Sequence, residues 1–390
     1  MCGSFGCGDT RGRYPAEGSQ SGDSGDQQDD GDGDGWSGPD NVDGPPPGDA
    51  SGLCGNQFFA VTSEPGNLYF VLDKSGSMAY PASAGSSKTK YQAVSQACVS
   101  VVAELGNEVN VGAALFPGLS GGDQCGVGEE VFATRRGDEA GTYSGSQGPV
   151  TSAFAAAIDV GPLGGTPTAA TLESLAPILE ALSGKTSVVL ATDGGPNCSP
   201  TRVCDARECT WNIEHSVGCD LSTNCCDPEK NGDSATTSCL DGAATAMAVA
   251  KLRDRGIRTY VVGIPGSEFY VALLDQLAII GGTARATEPR YYKVEDVGNL
   301  KATLLQIGRQ AAASCEFELD EAPPDLGYVN VYLDQTLVPF DELDGWSWVN
   351  DTTLTLNGAS CAKLERGEVG RVQVVAGCPT HIASLEESSW

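Results

Sequence analysis

Three short segments of this chain carry hydroxyl and carboxylate side chains in a pattern suited to holding one hard cation. Residues 73–77 read Asp-Lys-Ser-Gly-Ser, so the Ser75 and Ser77 hydroxyls lie two residues apart and can face one ion. Residues 164–168 read Gly-Gly-Thr-Pro-Thr and add a third hydroxyl, and Asp193 follows an apolar run further along. Mg2+ and Mn2+ prefer about six oxygen ligands. Three neutral hydroxyls and one or two carboxylates, bound directly or through water, would leave such an ion able to bind a further carboxylate.

Each of these residues also has an ordinary structural interpretation. Asp73, Ser75 or Ser77 could cap a following helix, and Thr166 could cap the helix that begins near Ala169. Asp193 precedes two glycines and could be a turn residue. The order of the three segments along the chain, rather than any one residue, is therefore the evidence for a metal site.

The elements around these segments alternate between strand and helix patterns. This alternation predicts an α/β fold with a doubly wound, mostly parallel sheet. Ligands in such folds lie at the carboxyl ends of the strands, so the residues after Leu72 and after Ala191 are the places to look. Strands are expected at residues 67–72, 109–116, 187–192, 258–264 and 291–294, and helices at residues 91–105, 166–182, 243–255, 267–280 and 297–313.

In this setting the three segments resemble the metal-ion-dependent adhesion site of von Willebrand factor type A domains, and the resemblance covers roughly residues 64–313. It implies a Rossmann-like sheet and selects Thr166, which follows the paired glycines, over Thr168. Thr168 remains a candidate for supporting the ligands. The cation implied is Mg2+, or else Mn2+ or Ca2+, and the implied partner is a protein or other ligand that offers an Asp or Glu carboxylate. The implied metal residues are Asp73, Ser75, Ser77, Thr166 and Asp193.

Two features depart from the simplest pattern of that family. A cysteine-rich insertion at residues 198–239 follows Asp193 almost at once and could shape or cover the metal face. Lys74 places a cation beside the site, where we expect a solvated side chain.

The remaining composition divides the chain into three parts. Residues 1–53 are rich in Gly and Asp and almost free of apolar side chains, which predicts a disordered acidic linker. Residues 54–315 form the expected α/β domain, and residues 316–390 carry short strand-like runs that predict a small all-β domain. We expect Cys54 to pair with Cys315 and Cys361 with Cys378, although spacing alone does not fix connectivity.

Cysteine content bears on the compartment. The chain has 15 cysteines and no Cys-x-x-Cys pair, which favours disulfides and an extracytoplasmic location at the cell surface, in the periplasm or in secreted form. Cys7 resembles the lipidated residue of a bacterial lipoprotein, although the segment before it lacks the apolar part of a signal, so a signal segment is expected to be missing. No apolar run approaches the roughly 20 residues of a membrane span.

Charge and motifs exclude several function classes. The formal net charge of -29 disfavours nucleic acid as a partner, because phosphate binding needs clustered Lys and Arg. No Gly-x-x-x-x-Gly-Lys-Ser/Thr loop for phosphate binding occurs, and neither His215 nor His381 is well placed for catalysis. We therefore expect a metal-dependent adhesion or binding module rather than an enzyme. The alternative is a structural or assembly component of an extracytoplasmic complex with a non-essential metal site.

Overall fold

The structure is a computed structural model that describes residues 54–382, except residues 56, 63, 119–123, 140–141, 143–146, 200–223, 233–234, 236–237, 367 and 370. The predicted linker at residues 1–53, with Cys7, and the middle of the cysteine-rich insertion lie outside the described residues. Their predicted properties stay predictions.

The described residues form 14 strands and eight α-helices. In chain order these are β1 (Gln57–Phe59), β2 (Val61–Thr62), β3 (Asn67–Asp73), α1 (Lys90–Leu105), β4 (Asn110–Phe116), β5 (Glu129–Arg136), α2 (Pro149–Ile158), α3 (Thr168–Glu180), β6 (Thr186–Thr192), α4 (Pro228–Asn231), α5 (Gly242–Arg253), β7 (Arg258–Gly263), α6 (Val271–Ile280), β8 (Tyr292–Lys293), α7 (Leu300–Ala312), β9 (Glu316–Leu319), β10 (Val329–Leu333), β11 (Thr336–Val338), β12 (Trp346–Trp348), β13 (Thr353–Leu356), α8 (Gly358–Glu365) and β14 (Val372–Ala376).

Six strands make a central sheet in the order β5-β4-β3-β6-β7-β8. All neighbours are parallel except the edge strand β5, which runs antiparallel to β4. The predicted mostly parallel sheet is therefore confirmed. Strand β3 lies between β4 and β6, so the chain adds strands first on one side of β3 and then on the other. The loops at the carboxyl end of β3 therefore diverge at this switch in strand order, which is the usual ligand position of such sheets.

The unbroken apolar sequence of β3 reflects burial on both faces. Leu68, Phe70 and Leu72 point into a core with helices α1, α2 and α7. Tyr69 and Val71 point into a second core with α3, α5 and α6. Every residue of β3 is buried, including the terminal Asp73. Because both faces of the sheet are covered by apolar cores, the Asp73 side chain lies at the carboxyl edge of the sheet, next to the loop that follows β3.

Helix α1 begins at Lys90 because Thr89 caps it. The Thr89 hydroxyl accepts a hydrogen bond from the backbone N–H of Gln92 at 3.1 Å, and the Gln92 side chain accepts one from the Thr89 N–H at 3.0 Å. The helix ends at Gly106, whose φ of +51° suits glycine. This cap fixes the first turn of α1, and so Lys90, beside the carboxyl edge of the sheet. No helix among the described residues has the length and apolar character needed to cross a membrane.

A second unit consists of two four-stranded antiparallel sheets that face each other around one core. Their strand orders are β1-β14-β10-β11 and β12-β13-β9-β2, and Trp346, Val331 and Leu354 are buried between them. Strands β1 and β2 precede the α/β unit in sequence but pair with β14 and β9. The expected boundary at residue 54 is therefore wrong for residues 57–62, which belong to the β-sandwich. Helix α8 is also part of this unit, which is not all-β.

The expected disulfides of the β-sandwich are wrong. The structure joins Cys54 to Cys378 and Cys315 to Cys361. The cause of the first pairing is the alignment of β1 with β14, which sets Gln57 opposite Ala376 and so brings their flanking cysteines together. The disulfide that we expected to close the α/β unit instead closes nearly the whole described chain, with 324 residues of separation between its cysteines.

The β-sandwich meets the α/β unit at the amino ends of its strands. Lys185, just before β6, donates to Glu365 of α8 at 2.7 Å. Arg258, the first residue of β7, donates to the same carboxylate at 2.9 Å. This junction lies at the opposite edge of the sheet from Asp73 and Asp193, so the β-sandwich leaves the carboxyl edge uncovered.

Candidate metal site at the carboxyl edge of the sheet

Asp73 ends β3 and is fully buried. One of its carboxylate oxygens accepts the backbone N–H of Ser75 at 2.7 Å, and the other accepts the Thr192 hydroxyl at 2.6 Å. Thr192 ends the neighbouring strand β6. Asp73 therefore fixes the turn that carries both serines and links the ends of two adjacent strands.

The two serines and Asp193 are joined directly. The Ser75 and Ser77 hydroxyl oxygens are 3.1 Å apart, and Ser77 donates to Asp193 Oδ1 at 2.7 Å. These atoms come from the loops after β3 and after β6, which are 116 residues apart in sequence. The structure thus brings together three of the predicted ligands through unbroken hydrogen bonds.

Thr166 lies on a third loop that is bonded to the first. Gly76 donates its N–H to the Gly164 carbonyl at 2.8 Å, and Leu163 donates to the Lys74 carbonyl at 2.7 Å. Thr166 is 1% exposed, and its hydroxyl oxygen has no hydrogen-bond partner among the described residues. A buried hydroxyl without a partner loses its hydration without compensation, at a cost of about 1–3 kcal/mol. Six other buried side-chain atoms of the described residues also lack a partner, so it is the place of this hydroxyl, on a loop bonded to the Ser75–Ser77 turn, that makes it a candidate ligand.

Thr168 plays a different part from Thr166. It is the first residue of α3, so the helix begins two residues later than predicted. Its hydroxyl lies 3.5 Å from the Thr166 carbonyl, at the limit of a hydrogen bond. Thr168 thus contacts the backbone of the loop on which Thr166 lies, and its role as a supporting residue stays a prediction.

Lys90 is the cation nearest the acidic groups of the site, and sequence reasoning missed it. Its Nζ donates to Asp193 Oδ2 at 2.7 Å, and its side chain is only 12% exposed. Gly266, after β7, lies against this pair, since a Cβ there would come within 2.9 Å of Nζ. Asp193 therefore shares its two oxygens between Ser77 and Lys90. No local sequence signal relates Lys90 to Asp193, because 103 residues separate them.

Burial controls the charge of this site. Burial, followed by the negative charge of Asp193, raises the pKa of Asp73, and hydrogen bonds from Thr192 and Ser75 oppose that rise. Lys74, which we expected to be solvated, is only 4% exposed, and burial lowers its pKa. That expectation is wrong, because the Lys74 N–H and C=O are held by Phe116 and Leu163, which draw the residue into the fold.

The side chains at this edge fit a hard divalent cation. The five predicted ligands offer oxygen atoms only, from two carboxylates and three hydroxyls, as Mg2+ and Mn2+ prefer, and Lys90 lies beside them. A second group of potential ligands, Cys315, Cys361 and Glu365, lies in the β-sandwich. The first two form a disulfide and Glu365 is paired with Lys185 and Arg258, so that group offers no thiolate to a metal.

No family model matches the chain, and no curated protein matches its sequence. Similar solved structures include the open form of the pilus adhesin SpaC from Lactobacillus rhamnosus GG, with 18% identity over 84% of this chain and 40% of that one and a TM-score of 0.44. The vWF domain of the type V pili tip protein Mfa5 from Porphyromonas gingivalis shows 12% identity over 63% and 95%, with a TM-score of 0.42.

A further similar structure is the manganese-loaded TRAP protein of Plasmodium vivax, with 16% identity over 63% of this chain and 74% of that one and a TM-score of 0.36. The chain spans about two fifths of the length of the pilus adhesin. At identities and TM-scores this low, none of these likenesses identifies what the present chain binds.

Proposed function

We propose that this chain is a metal-dependent binding or adhesion module of the von Willebrand factor type A kind. In this proposal Ser75, Ser77 and Thr166 hold Mg2+, with Asp73 and Asp193 supplying negative charge. The observation that carries it is the buried Thr166 hydroxyl, which has no protein partner among the described residues and lies on a loop bonded to the Ser75–Ser77 turn. Mn2+ or Ca2+ is the alternative ion.

The charge of the site favours an acidic partner. Asp73 and Asp193 carry at most two negative charges, and Lys90 offsets one of them. A divalent cation would therefore leave the edge with a net positive charge, since the other donors are neutral hydroxyls. A carboxylate from a protein partner would neutralise that charge. A bound metal ion would thus supply the site with an electrophile that binds the partner's carboxylate.

Metal binding can be measured directly on the full chain. Calorimetric titration with Mg2+, Mn2+ and Ca2+ is expected to give one site, lost in the Ser75→Ala/Ser77→Ala variant. A matched control is Ser95→Ala/Ser100→Ala, which removes two hydroxyls of α1 that donate to backbone carbonyls of the same helix. Equal affinity in the site variant and this control would refute the proposal.

The carboxylate can be tested without knowing the partner. An array of peptides that contain Asp or Glu, each paired with its Asn or Gln counterpart, is probed with the metal-loaded chain and again in EDTA. We expect binding to acidic members only, and only with metal. Binding that is equal for acid and amide members, or that survives EDTA, excludes a metal-held carboxylate.

The alternative is a structural or assembly component of an extracytoplasmic complex. The closed β-sandwich favours it, because the Cys54–Cys378 disulfide ties both ends of the described chain into one rigid unit. Partner capture that survives EDTA and the Ser75→Ala/Ser77→Ala changes would support this alternative. In both proposals the chain is not an enzyme, lies outside the cytoplasm, where disulfides persist, and is a candidate for lipid anchoring at Cys7.

A further inference from the structure

A disulfide lies directly beside the loop that carries Thr166. Cys125 follows β4 and Cys198 follows β6, and their Cα atoms are 5.4 Å apart. A Cβ added to Gly165 would come within 2.6 Å of Cys198 Sγ, so the bridge packs against the residue before Thr166. Only glycine leaves room for this contact. The disulfide and the Thr166 loop therefore form one packed structure.

Asn197, the residue before Cys198, holds the Thr166 backbone from both sides. Its side-chain oxygen accepts the Thr166 N–H at 2.6 Å, and its own N–H donates to the Thr166 carbonyl at 3.0 Å. Asn197 is 1% exposed, so both hydrogen bonds are shielded from water. These two bonds fix the orientation of the Thr166 peptide units, and with them the direction of the Cα–Cβ bond on which the hydroxyl is carried.

The chain next to Cys125, the other cysteine of the disulfide, also bonds to the Thr166 loop. The Gln124 carbonyl, next to Cys125, accepts the Gly165 N–H at 2.7 Å. Residues 165 and 166 are thus bonded to the two neighbours of the bridged cysteines. Cys198 also takes a left-handed backbone with φ of +69°, which residues other than glycine adopt at some cost in free energy. A covalent bridge offsets such a cost by holding the turn in place.

We infer that Asn197 and the Cys125–Cys198 disulfide are positioning elements of the metal site, which hold the Thr166 hydroxyl toward the cation. This inference rests on the proposed function, because it assigns a purpose to a hydroxyl that would bind metal. Neither element belongs to the three segments from which the site was predicted. The two hydrogen bonds of Asn197 and the Cys125–Cys198 disulfide hold the loop backbone at Thr166 in one place.

The test is a double-mutant cycle on the full chain, with Mn2+ alone as the probe in calorimetry. Thr166→Val is expected to raise the Kd about tenfold in the native background, and Cys125→Ser/Cys198→Ser to raise it by a similar factor. When both are combined, Thr166→Val should change the Kd by less than about twofold, because the hydroxyl is already misplaced. A structural role without an effect on Thr166 would give additive losses instead.

Two further variants keep the result decisive. Cys315→Ser/Cys361→Ser removes a bridge of the same 5.4 Å Cα distance at the opposite edge of the sheet, and it should leave the Kd unchanged. Asn197→Ala keeps the disulfide and should raise the Kd about tenfold, which covers the case in which the cysteine variant does not fold.

The possible failures are distinguishable. If the native chain binds no Mn2+, both the proposed function and the inference fall. If the native chain binds Mn2+ and Thr166→Val weakens that binding, two results overturn the inference alone. The first is that Asn197→Ala and the cysteine variant bind Mn2+ as tightly as the native chain. The second is that their losses of affinity add to the loss caused by Thr166→Val.

Discussion

Replacing Thr166 by valine should strengthen the metal-free protein and weaken its hold on metal. The hydroxyl oxygen of Thr166 is buried and bonds to no described residue. Valine keeps the branched shape and replaces this oxygen with a methyl group. In EDTA the exchange removes an unsatisfied polar atom, whereas with metal it removes a ligand. The two effects have opposite signs.

The magnitude follows from the burial. An unsatisfied buried hydroxyl costs about 1–3 kcal/mol, and a buried methyl group contributes about 0.8 kcal/mol. Allowing for imperfect fit, we expect Thr166→Val to raise the free energy of unfolding in EDTA by about 1–2 kcal/mol. For a unit of this size, that corresponds to a rise in Tm of roughly 2–8 °C. The Kd for Mg2+ should rise about tenfold or more.

Differential scanning calorimetry in EDTA and in saturating Mg2+ measures both effects. Native protein gains stability from metal in proportion to the logarithm of the ratio of metal concentration to Kd, and the variant should gain less. Thr171→Val is the matched control. The Thr171 hydroxyl is also buried, but it accepts the Gly128 N–H at 3.0 Å and donates to the Pro167 carbonyl at 2.8 Å. That variant should lose about 1–2 kcal/mol. A Thr166→Val protein that is destabilised in EDTA like this control would refute the reasoning.

Three further outcomes are expected. Lys90→Met should lower the calorimetric Kd for Mg2+ by roughly five- to tenfold, because it removes about 1 kcal/mol of repulsion and frees Asp193 Oδ2; an unchanged or higher Kd contradicts this. In EDTA the free energy of unfolding from urea titrations should fall as pH rises above the ordinary Asp pKa, because the raised pKa of Asp73 makes the folded chain bind this proton more tightly than the unfolded chain. This contribution to stability is fully present below the pKa of Asp73 in the unfolded chain and is lost as pH rises through its pKa in the folded chain. Asp73→Asn should flatten the slope of stability against pH. Cys54→Ser/Cys378→Ser should lower the free energy of unfolding by about 5–6 kcal/mol in denaturant titrations, because the bridge closes a loop with a separation of 324 residues. A loss below about 1 kcal/mol would show that the β-sandwich holds its ends without it.

The sequence predicted the buried strands well because both of their faces are covered. Residues 67–72 and 187–192 read as continuous apolar runs, and the structure places both at the centre of the sheet. The edge strand β5 was missed, because half of its sequence EEVFATRR is charged and only Phe132 is buried. Helix α2 was missed as well, since it lacks a side-chain cap and consists of small and β-branched residues over most of its length. The spacing of apolar residues predicts an element where one face is buried and the other is polar. It fails in β5, where few residues are buried, and in α2, where few residues on any face are polar.

The site was predicted in the three segments that carry the family pattern, although Asp193 lies 116 residues from Ser77. The Ser75–Ser77 spacing is visible in any reading of the chain. Lys90 and Asn197 were not found, because their partners are 103 and 31 residues away and the fold alone brings them together. The predicted pairings of Cys54, Cys315, Cys361 and Cys378 were wrong for the same reason. Nothing in the sequence indicates that a strand preceding the α/β unit pairs with the last strand of the sandwich.

The central claim is that oxygen atoms from three loops enclose one divalent cation with a coordination position open to a partner. Anomalous diffraction from crystals of the full chain grown with Mn2+ locates the metal without assumptions about its ligands. The expected result is one peak within about 2.0–2.3 Å of the Ser75, Ser77 and Thr166 hydroxyl oxygens, with a water or carboxylate oxygen completing the sphere. A peak elsewhere, no peak, or a sphere filled entirely by protein atoms would contradict it.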